Sequence, residues 1–238
     1  RGLRTVYIPT TLMAMTDASL GGKNAINAGS DKNQLGTISF PQFTLVSTMW
    51  LASLPAREIQ SGYAEIIKHA LLDDYSFVKT ILDISDTSVP PPLSLLVRSI
   101  RVKMKIVTDD PYETHERLWL NLGHSFGHAY ESFFYATGNP VSHGHAVAIG
   151  LAEALYFSTK LLGFSKKIYA EVIIWLRQQF IIDSLPEWNE IRASVLKDKK
   201  NISSGIRLVL LKSPGNPLLR SINESTCQTL HADFLKQL

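Results

Sequence analysis

Near residue 55 the chain changes the period on which it places its apolar residues, and that change limits what it can fold into. Before it, Gly, Thr, Ser and Asn are frequent, and short β-like runs at 5–8, 23–28, 36–40 and 43–46 are separated by turn residues. From Pro55 onward, apolar residues recur at three- and four-residue intervals. That period predicts helices over 57–72, 75–84, 93–107, 117–134, 145–162, 166–180 and 187–196. The run Val89-Pro-Pro-Pro-Leu93 stops one helix before the next and reads as a rigid connector. Further on, 206–211 reads as a strand, 213–217 as a turn and 226–238 as a last amphipathic helix. The expectation is an α+β chain with a small strand-rich part over 1–54 and a mostly helical part over 55–238.

Composition removes several classes of function. With 238 residues, 45% hydrophobic and 19% charged, the chain can bury one large core or two small ones and reads as globular. Its one cysteine, Cys227, excludes an internal disulfide framework and fits a reducing compartment, so a cytoplasmic location is expected. No signal-like segment opens the sequence, and the most apolar stretch, 146–162, is interrupted by Glu153 and Lys160. That stretch is read as a buried helix rather than a membrane span. The net charge of +3 is spread along the chain, which argues against nucleic acid and leaves a small anionic substrate as the compatible partner.

Four of the seven histidines fall in Gly123-His-Ser-Phe-Gly-His-Ala129 and His143-Gly-His145. Residues four apart share a helix face, so His124 and His128 can point into one cavity if 117–134 is helical. A catalytic metal needs about three protein donors, and the second cluster offers another imidazole after the turn at Gly138-Asn139-Pro140. Paired imidazoles on an amphipathic helix are also found as core or capping residues; two clusters on neighbouring helices favour a site. Zinc is the first expectation for imidazole donors. Leu20-Gly21-Gly22-Lys23 sets a lysine behind two residues that let backbone approach a ligand, yet the same triplet occurs in ordinary turns and no Walker pattern accompanies it. Glu65 and Lys68 lie one turn apart on an otherwise apolar helix, either as an intrahelical ion pair or as a site. The basic runs at 101–105 and 197–200 read from position alone as solvated faces.

Taken in order, a longer set of motifs carries a resemblance. Pro9-Thr-Thr-Leu12, Asp17-Ala-Ser-Leu-Gly-Gly-Lys23, Lys32-Asn33, Leu54-Pro-Ala-Arg-Glu58 and Gly62-Tyr-Ala-Glu-Ile-Ile-Lys68 are followed by Arg117, Asn121-Leu-Gly-His124, Gly127-His-Ala129 and His143-Gly144. Together they resemble the 3-dehydroquinate synthases, within the sugar phosphate cyclases. The resemblance implies a remnant of an α/β nucleotide-binding domain followed by a helical metal- and substrate-binding domain. It implies conversion of 3-deoxy-D-arabino-heptulosonate 7-phosphate to 3-dehydroquinate and phosphate, with NAD and Zn2+ or Co2+ as cofactors.

Residue by residue, the resemblance makes Glu65, His124 and His143 the metal ligands and reassigns His128 to the substrate and its leaving phosphate. It implies substrate contacts for Lys68, Lys103, Arg117, Asn121 and one of Lys199 and Lys200, with Asp17 beside the substrate. Lys23 falls where cofactor and substrate meet, and Thr10, Thr11, Lys32, Asn33, Trp50, Leu51, Ala52 and Ser53 lie along the NAD site. Arg1 resembles an arginine that reaches a neighbouring subunit's phosphate site, which implies a homodimer. The family's chains begin with a Gly-rich nucleotide loop, and this sequence starts after it, so poor NAD affinity and little turnover are expected of this stretch alone. The family usually has Glu after His-Gly, where this chain has His145, an imidazole that either binds metal or is tolerated.

Overall fold

The computed structural model describes residues 3–28, 31–180, 184–197 and 205–238, and within strands it leaves the side chains of 27–28 and 31–34 undescribed. The chain divides into two compact units, Arg1–Ile66 with Thr87–Arg117, and Ile67–Asp86 with Leu118–Leu238.

The first unit holds two strand pairs. β1 (Val6–Tyr7) pairs in parallel with β4 (Phe43–Thr44), while β2 (Lys23–Ala28) and β3 (Asp31–Ile38) form an antiparallel ladder from Lys23↔Ile38 to Ala28↔Asp31. A π-helical turn at Ala14–Ala18 and a 3-10 turn at Thr48–Ser53 were not anticipated from the apolar pattern, because both are shorter than the window on which helical periodicity shows. The helices of this unit are the first part of α1 (Ala56–Asp73) and α3 (Leu93–Asp109), which packs on the π-helical turn. Gly62 in α1 makes room for Leu12, because a Cβ there would come within 2.5 Å of the leucine Cγ. The core is helical: Leu12, Met15, Ile59, Tyr63, Leu96 and Val107 are buried, whereas Val6, Ile8, Ile26, Leu35, Phe43 and Leu45 of the strand segments are exposed.

The second unit is built around α5 (His143–Leu162), which carries the apolar stretch and is buried from Ala146 to Ser158. Around it are α4 (His124–Ala136), α6 (Lys166–Gln179) and α8 (Glu224–Leu235), with α7 (Trp188–Lys197) on α4 and α8 and α2 (Tyr75–Leu82) on α6. Helix starts follow residue chemistry. Asp74, Ser142, Ser165 and Asn223 each accept a backbone N–H three residues on, capping α2, α5, α6 and α8. Gly163, at φ 72°, ends α5 in the left-handed conformation. No helix of the described residues is long and apolar enough to cross a membrane.

Two expectations are corrected. The single helix over 117–134 is instead a 3-10 turn at Glu116–Asn121 and then α4 from His124, because Gly123 interrupts it at φ 76°. The turn expected at 213–217 is shorter, and a strand follows it: β5 (Ile206–Ser213) and β6 (Asn216–Ile222) form an antiparallel hairpin around Gly215, at φ 76°. Pro217 within β6 hid that strand from the pattern. Ser158 ties the hairpin to α5, its Oγ accepting the Leu211 N–H at 3.0 Å.

Glu153, read from sequence as an interruption, is the centre of a buried polar network. Its carboxylate accepts the Tyr130 hydroxyl at 2.6 Å and the Nδ1–H of His231 at 2.8 Å, and His231 Nε2 lies 3.0 Å from the Pro186 carbonyl. Both ring nitrogens face acceptors, so the arrangement calls for the imidazolium form. Burial alone would push the His231 pKa down, but the hydrogen bond and charge of Glu153, with the Pro186 carbonyl and the charge of Glu187, hold it above its ordinary value. A histidine raised in this way stabilises the fold fully below the ordinary pKa of about 6.5, and the contribution is lost as pH rises through the raised value. Urea unfolding at a series of pH values is expected to show stability falling on that alkaline side, with the fall absent in His231→Gln. His231→Ala is expected to cost about 3–5 kcal/mol. A variant as stable as the parent at every pH would show that the pair does not hold the core.

Candidate functional site

In the helical unit three histidines converge. The ring centroids of His124 and His128 are 5.5 Å apart, those of His124 and His143 5.5 Å, and those of His128 and His143 5.9 Å. The glycines between them explain how two helices bring imidazoles so close. A Cβ on Gly150 of α5 would stand 2.0 Å from the Gly123 carbonyl oxygen and 2.6 Å from the Gly127 nitrogen. A Cβ on Gly123 would meet the Leu151 nitrogen at 2.8 Å, and one on Gly127 the Ala146 carbonyl at 3.2 Å. Backbone therefore packs on backbone where α4 begins, with His124 and His128 on α4 and His143 opening α5.

Each ring has a distinct setting. His124 is buried, and its Nδ1 lies 3.2 Å from the Leu122 carbonyl, a contact that puts the proton on Nδ1 and the lone pair on Nε2. His128 is exposed. His143 is half-buried, and its Nδ1 lies 3.6 Å from Glu131 Oε2. His145 sets its ring edge-on to Phe180, centroids 5.9 Å apart, while its backbone N–H is the one capped by Ser142. Asn121 donates to the Leu118 carbonyl at 3.0 Å.

In the strand-rich unit a second set of predicted residues meets. Lys103 of α3 donates to Asp17 of the π-helical turn at 2.6 Å, with the lysine side chain 7% exposed. Lys23 pairs with Glu113. Arg117 is buried, and its guanidinium donates to the Gly21 carbonyl at 2.6 Å and to the Pro111 carbonyl at 2.5 Å. Gly21 sits at φ 102°, and a Cβ there would lie 2.6 Å from Arg117 Nη2. Gly21 is thus a requirement of the buried arginine, whereas a Cβ on Gly22, at φ 67°, would meet the Ser39 carbonyl oxygen at 3.0 Å. Burial lowers the Arg117 pKa, and the charges of Glu113, Asp110 and Asp17 push it back up.

Asp110 holds the loop that presents this arginine. Its carboxylate accepts the N–H groups of Thr114 at 3.0 Å, His115 at 2.7 Å and Arg117 at 3.1 Å, and the Thr114 hydroxyl. Burial pushes the Asp110 carboxyl up, but these donors outweigh it and hold it well below the usual carboxylate range.

Glu65 and Lys68 both sit buried on α1. Thr11 accepts the Ala14 N–H at 3.1 Å, and Thr10 is exposed. Trp50 to Ser53 lie in the 3-10 turn, with Leu51 buried and Trp50 41% exposed. Lys32 and Asn33 fall in β3, where their side chains lie outside the described residues, as do Arg1, Lys199 and Lys200 entirely. Glu113, Asp110 and Glu131 were missed by sequence reasoning. Only Glu131 left a signal there, standing three residues after His128 and seven after His124 on one helix stripe. A cleft of 420 Å³ between α2 and α6, lined by Tyr75, Lys79 and Trp175 among others, contains none of the predicted residues.

Comparison with known proteins adds the family context. The family described as 3-dehydroquinate synthase C-terminal matches residues 62–201, and that described as 3-dehydroquinate synthase N-terminal matches residues 1–61. The 3-dehydroquinate synthase of Parabacteroides distasonis is 38% identical over 221 residues, 91% of this chain and 62% of that protein. That of Leptospira interrogans is 40% identical over 226 residues, 92% of this chain and 61% of that protein. The chain therefore spans 61–62% of the length of these curated relatives. Among solved structures, 2-deoxy-scyllo-inosose synthase complexed with carbaglucose-6-phosphate, NAD+ and Co2+ matches with a TM-score of 0.84 at 23% identity, over 98% of this chain and 68% of that one. The 2-epi-5-epi-valiolone synthase of Streptomyces hygroscopicus with NAD+ and Zn2+ bound matches with a TM-score of 0.80 at 24% identity, over 99% of this chain and 67% of that one. These two likenesses show a shared fold.

Two variants test the packing. Gly150→Ala is expected to force α4 and α5 apart, at a cost of about 1–3 kcal/mol in chemical denaturation, and an unchanged midpoint would refute the close approach. Asp17→Ala is expected to destabilise by about 1–3 kcal/mol, with Lys103→Met recovering part of the loss in a double-mutant cycle. Strict additivity in that cycle would mean the pair is not coupled.

Proposed function

The chain belongs to the 3-dehydroquinate synthase family, and we propose that it is the metal- and substrate-binding part of an enzyme converting 3-deoxy-D-arabino-heptulosonate 7-phosphate to 3-dehydroquinate and phosphate. The observation that carries the reading is the convergence of His124, His128 and His143 at ring distances of 5.5–5.9 Å in the matched region.

A zinc-type ion accepts carboxylate and imidazole donors, and the resemblance assigns it Glu65, His124 and His143, one carboxylate and two imidazoles. The donor chemistry fits either Zn2+ or Co2+. Such a metal, when bound, acidifies a substrate hydroxyl and polarises a carbonyl, while NAD takes up and returns a hydride. The chain's own residues bind, orient and move protons. His128, exposed one helical turn after His124, is the histidine assigned to the substrate and its leaving phosphate, a role that needs access to the ligand.

Lys103 and Lys23 are each held against a carboxylate, and an incoming phosphate or substrate carboxylate competes for the same ammonium groups. Arg117, pinned by two carbonyls, offers a guanidinium already set in orientation. Lys68, Asn121 and one of Lys199 and Lys200 complete the substrate contacts, and Asp17 is assigned a place beside the substrate. Thr10, Thr11, Lys23, Lys32, Asn33 and Trp50 to Ser53 lie along the nicotinamide cofactor. Arg1 is assigned to the phosphate site of a second subunit in a homodimer. The exposed Val6, Ile8, Phe43 and Leu45 around a parallel strand pair support a place in a larger α/β sheet, since parallel strands are ordinarily covered on both faces.

The test combines metal content with phosphate release from the heptulosonate 7-phosphate in the presence of NAD. His124→Ala and His143→Ala are expected to lose bound Zn2+ or Co2+. His128→Ala is expected to keep the metal and lower phosphate release by about 10²–10⁴-fold. An emptied site in His128→Ala with a filled one in His143→Ala would overturn the assignment. Turnover of a heptulose 7-phosphate that lacks the carboxylate, with none of the heptulosonate, would instead indicate another sugar phosphate cyclase.

A further inference from the structure

Resting on the metal reading above, we infer that Glu131 is the positioning residue of His143. An imidazole ligand has two nitrogens, and which one carries the lone pair depends on what the other one donates to. For His124 the answer is local, since its Nδ1 lies 3.2 Å from the Leu122 carbonyl. His143 is the first residue of α5, and its half-exposed side chain needs a partner from elsewhere in the fold. Its Nδ1 faces Glu131 Oε2 at 3.6 Å, a charge contact rather than a full hydrogen bond.

Helical spacing makes this arrangement specific. His124, His128 and Glu131 are separated by four and three residues on α4, so they form one stripe facing the start of α5. The carboxylate draws the His143 proton to Nδ1 and so turns Nε2 into the ligand atom, the same choice that the Leu122 carbonyl makes for His124. His145 has a different task. It stands two residues along α5, and its ring packs edge-on to Phe180 at 5.9 Å. The residue at the position where the family usually carries Glu is engaged with an aromatic ring, and Glu131 of α4 supplies the carboxylate to His143.

The experiment is Co2+ binding by the 238-residue chain, followed by competition with a chelator and by the visible absorption of the bound ion. Glu131→Ala is expected to weaken Co2+ binding about 10–100-fold and to shift the absorption bands. Glu131→Gln, whose amide oxygen can still accept from Nδ1, is expected to recover part of the affinity. Thermal unfolding of the metal-free variants is expected to match the parent. Parent-like affinity and spectrum in Glu131→Ala, while His143→Ala loses Co2+, would overturn the positioning role alone. Unchanged Co2+ binding in His143→Ala would overturn both it and the metal assignment beneath it. Should Glu131→Ala fold poorly, equal affinity in Glu131→Gln and Glu131→Leu would still sink the inference.

Discussion

The contact of the Gly123 carbonyl with Gly150 is the constraint on which the helical unit depends. Neither position has room for a methyl group, and Gly123 also needs a left-handed backbone to stop the 3-10 turn and begin α4. Glycine within a helix is unfavourable by about 1 kcal/mol relative to alanine, so Gly127 and Gly150 weaken their own helices in order to close the distance between them. The compensation comes from α5, whose buried surface from Ala146 to Ser158 is covered by α4, α6, α8 and β5. The three imidazoles inherit their separation from this backbone contact.

Histidine serves two different ends in the same unit. His231 has both ring nitrogens turned to acceptors, Glu153 and the Pro186 carbonyl, and works as a tie between α8, α5 and the segment before α7. His124 is oriented through one nitrogen by a carbonyl two residues away, and His143 has a carboxylate of another helix near one nitrogen. Depth of burial does not separate these cases, since His124 and His231 are both buried. What separates them is what Nδ1 meets: a buried carboxylate at His231, a backbone carbonyl at His124. Arg117 follows the second pattern within the strand-rich unit: two carbonyls accept from a guanidinium that carries five N–H donors and so set its orientation, and Asp110 holds its loop.

Much of this was legible in the sequence where one element could be read by itself. The periods of α1, α2, α3 and α5 were clear because each buries an apolar face at helical spacing, and α2 and α5 open on the capping side chains of Asp74 and Ser142. Errors arose where a single residue overrides the period. Gly123 splits what reads as one helix, and Pro217 disguises a strand whose partner shows plainly. Spacing alone pairs His124 with His128, whereas the longer motif set assigns them the different roles proposed above. Glu113 and the pairing of Glu153 with His231 depend on partners from other elements, 78 residues apart in the second case, and no local pattern encodes them; Glu131 shares a helix stripe with His124 and His128, but its partner His143 lies on another helix.

The two units also differ in how far each closes on itself. The helical unit buries the apolar residues of α5 within its own layers, and its histidines are fixed by contacts internal to it. The strand-rich unit has its core among helices, while its strand segments expose Val6, Ile8, Phe43 and Leu45, and its parallel pair is two residues long. A pair that short is not a stable sheet in water without further strands or a covering layer. The residues proposed for the nicotinamide cofactor lie in or beside these strand segments and the 3-10 turn after them. Most of the proposed metal donors, by contrast, lie on helices with a core of their own. On physical grounds, then, metal binding is the part of the proposed chemistry that this stretch of chain is best built to support alone, and cofactor binding is the part most dependent on what covers the strands.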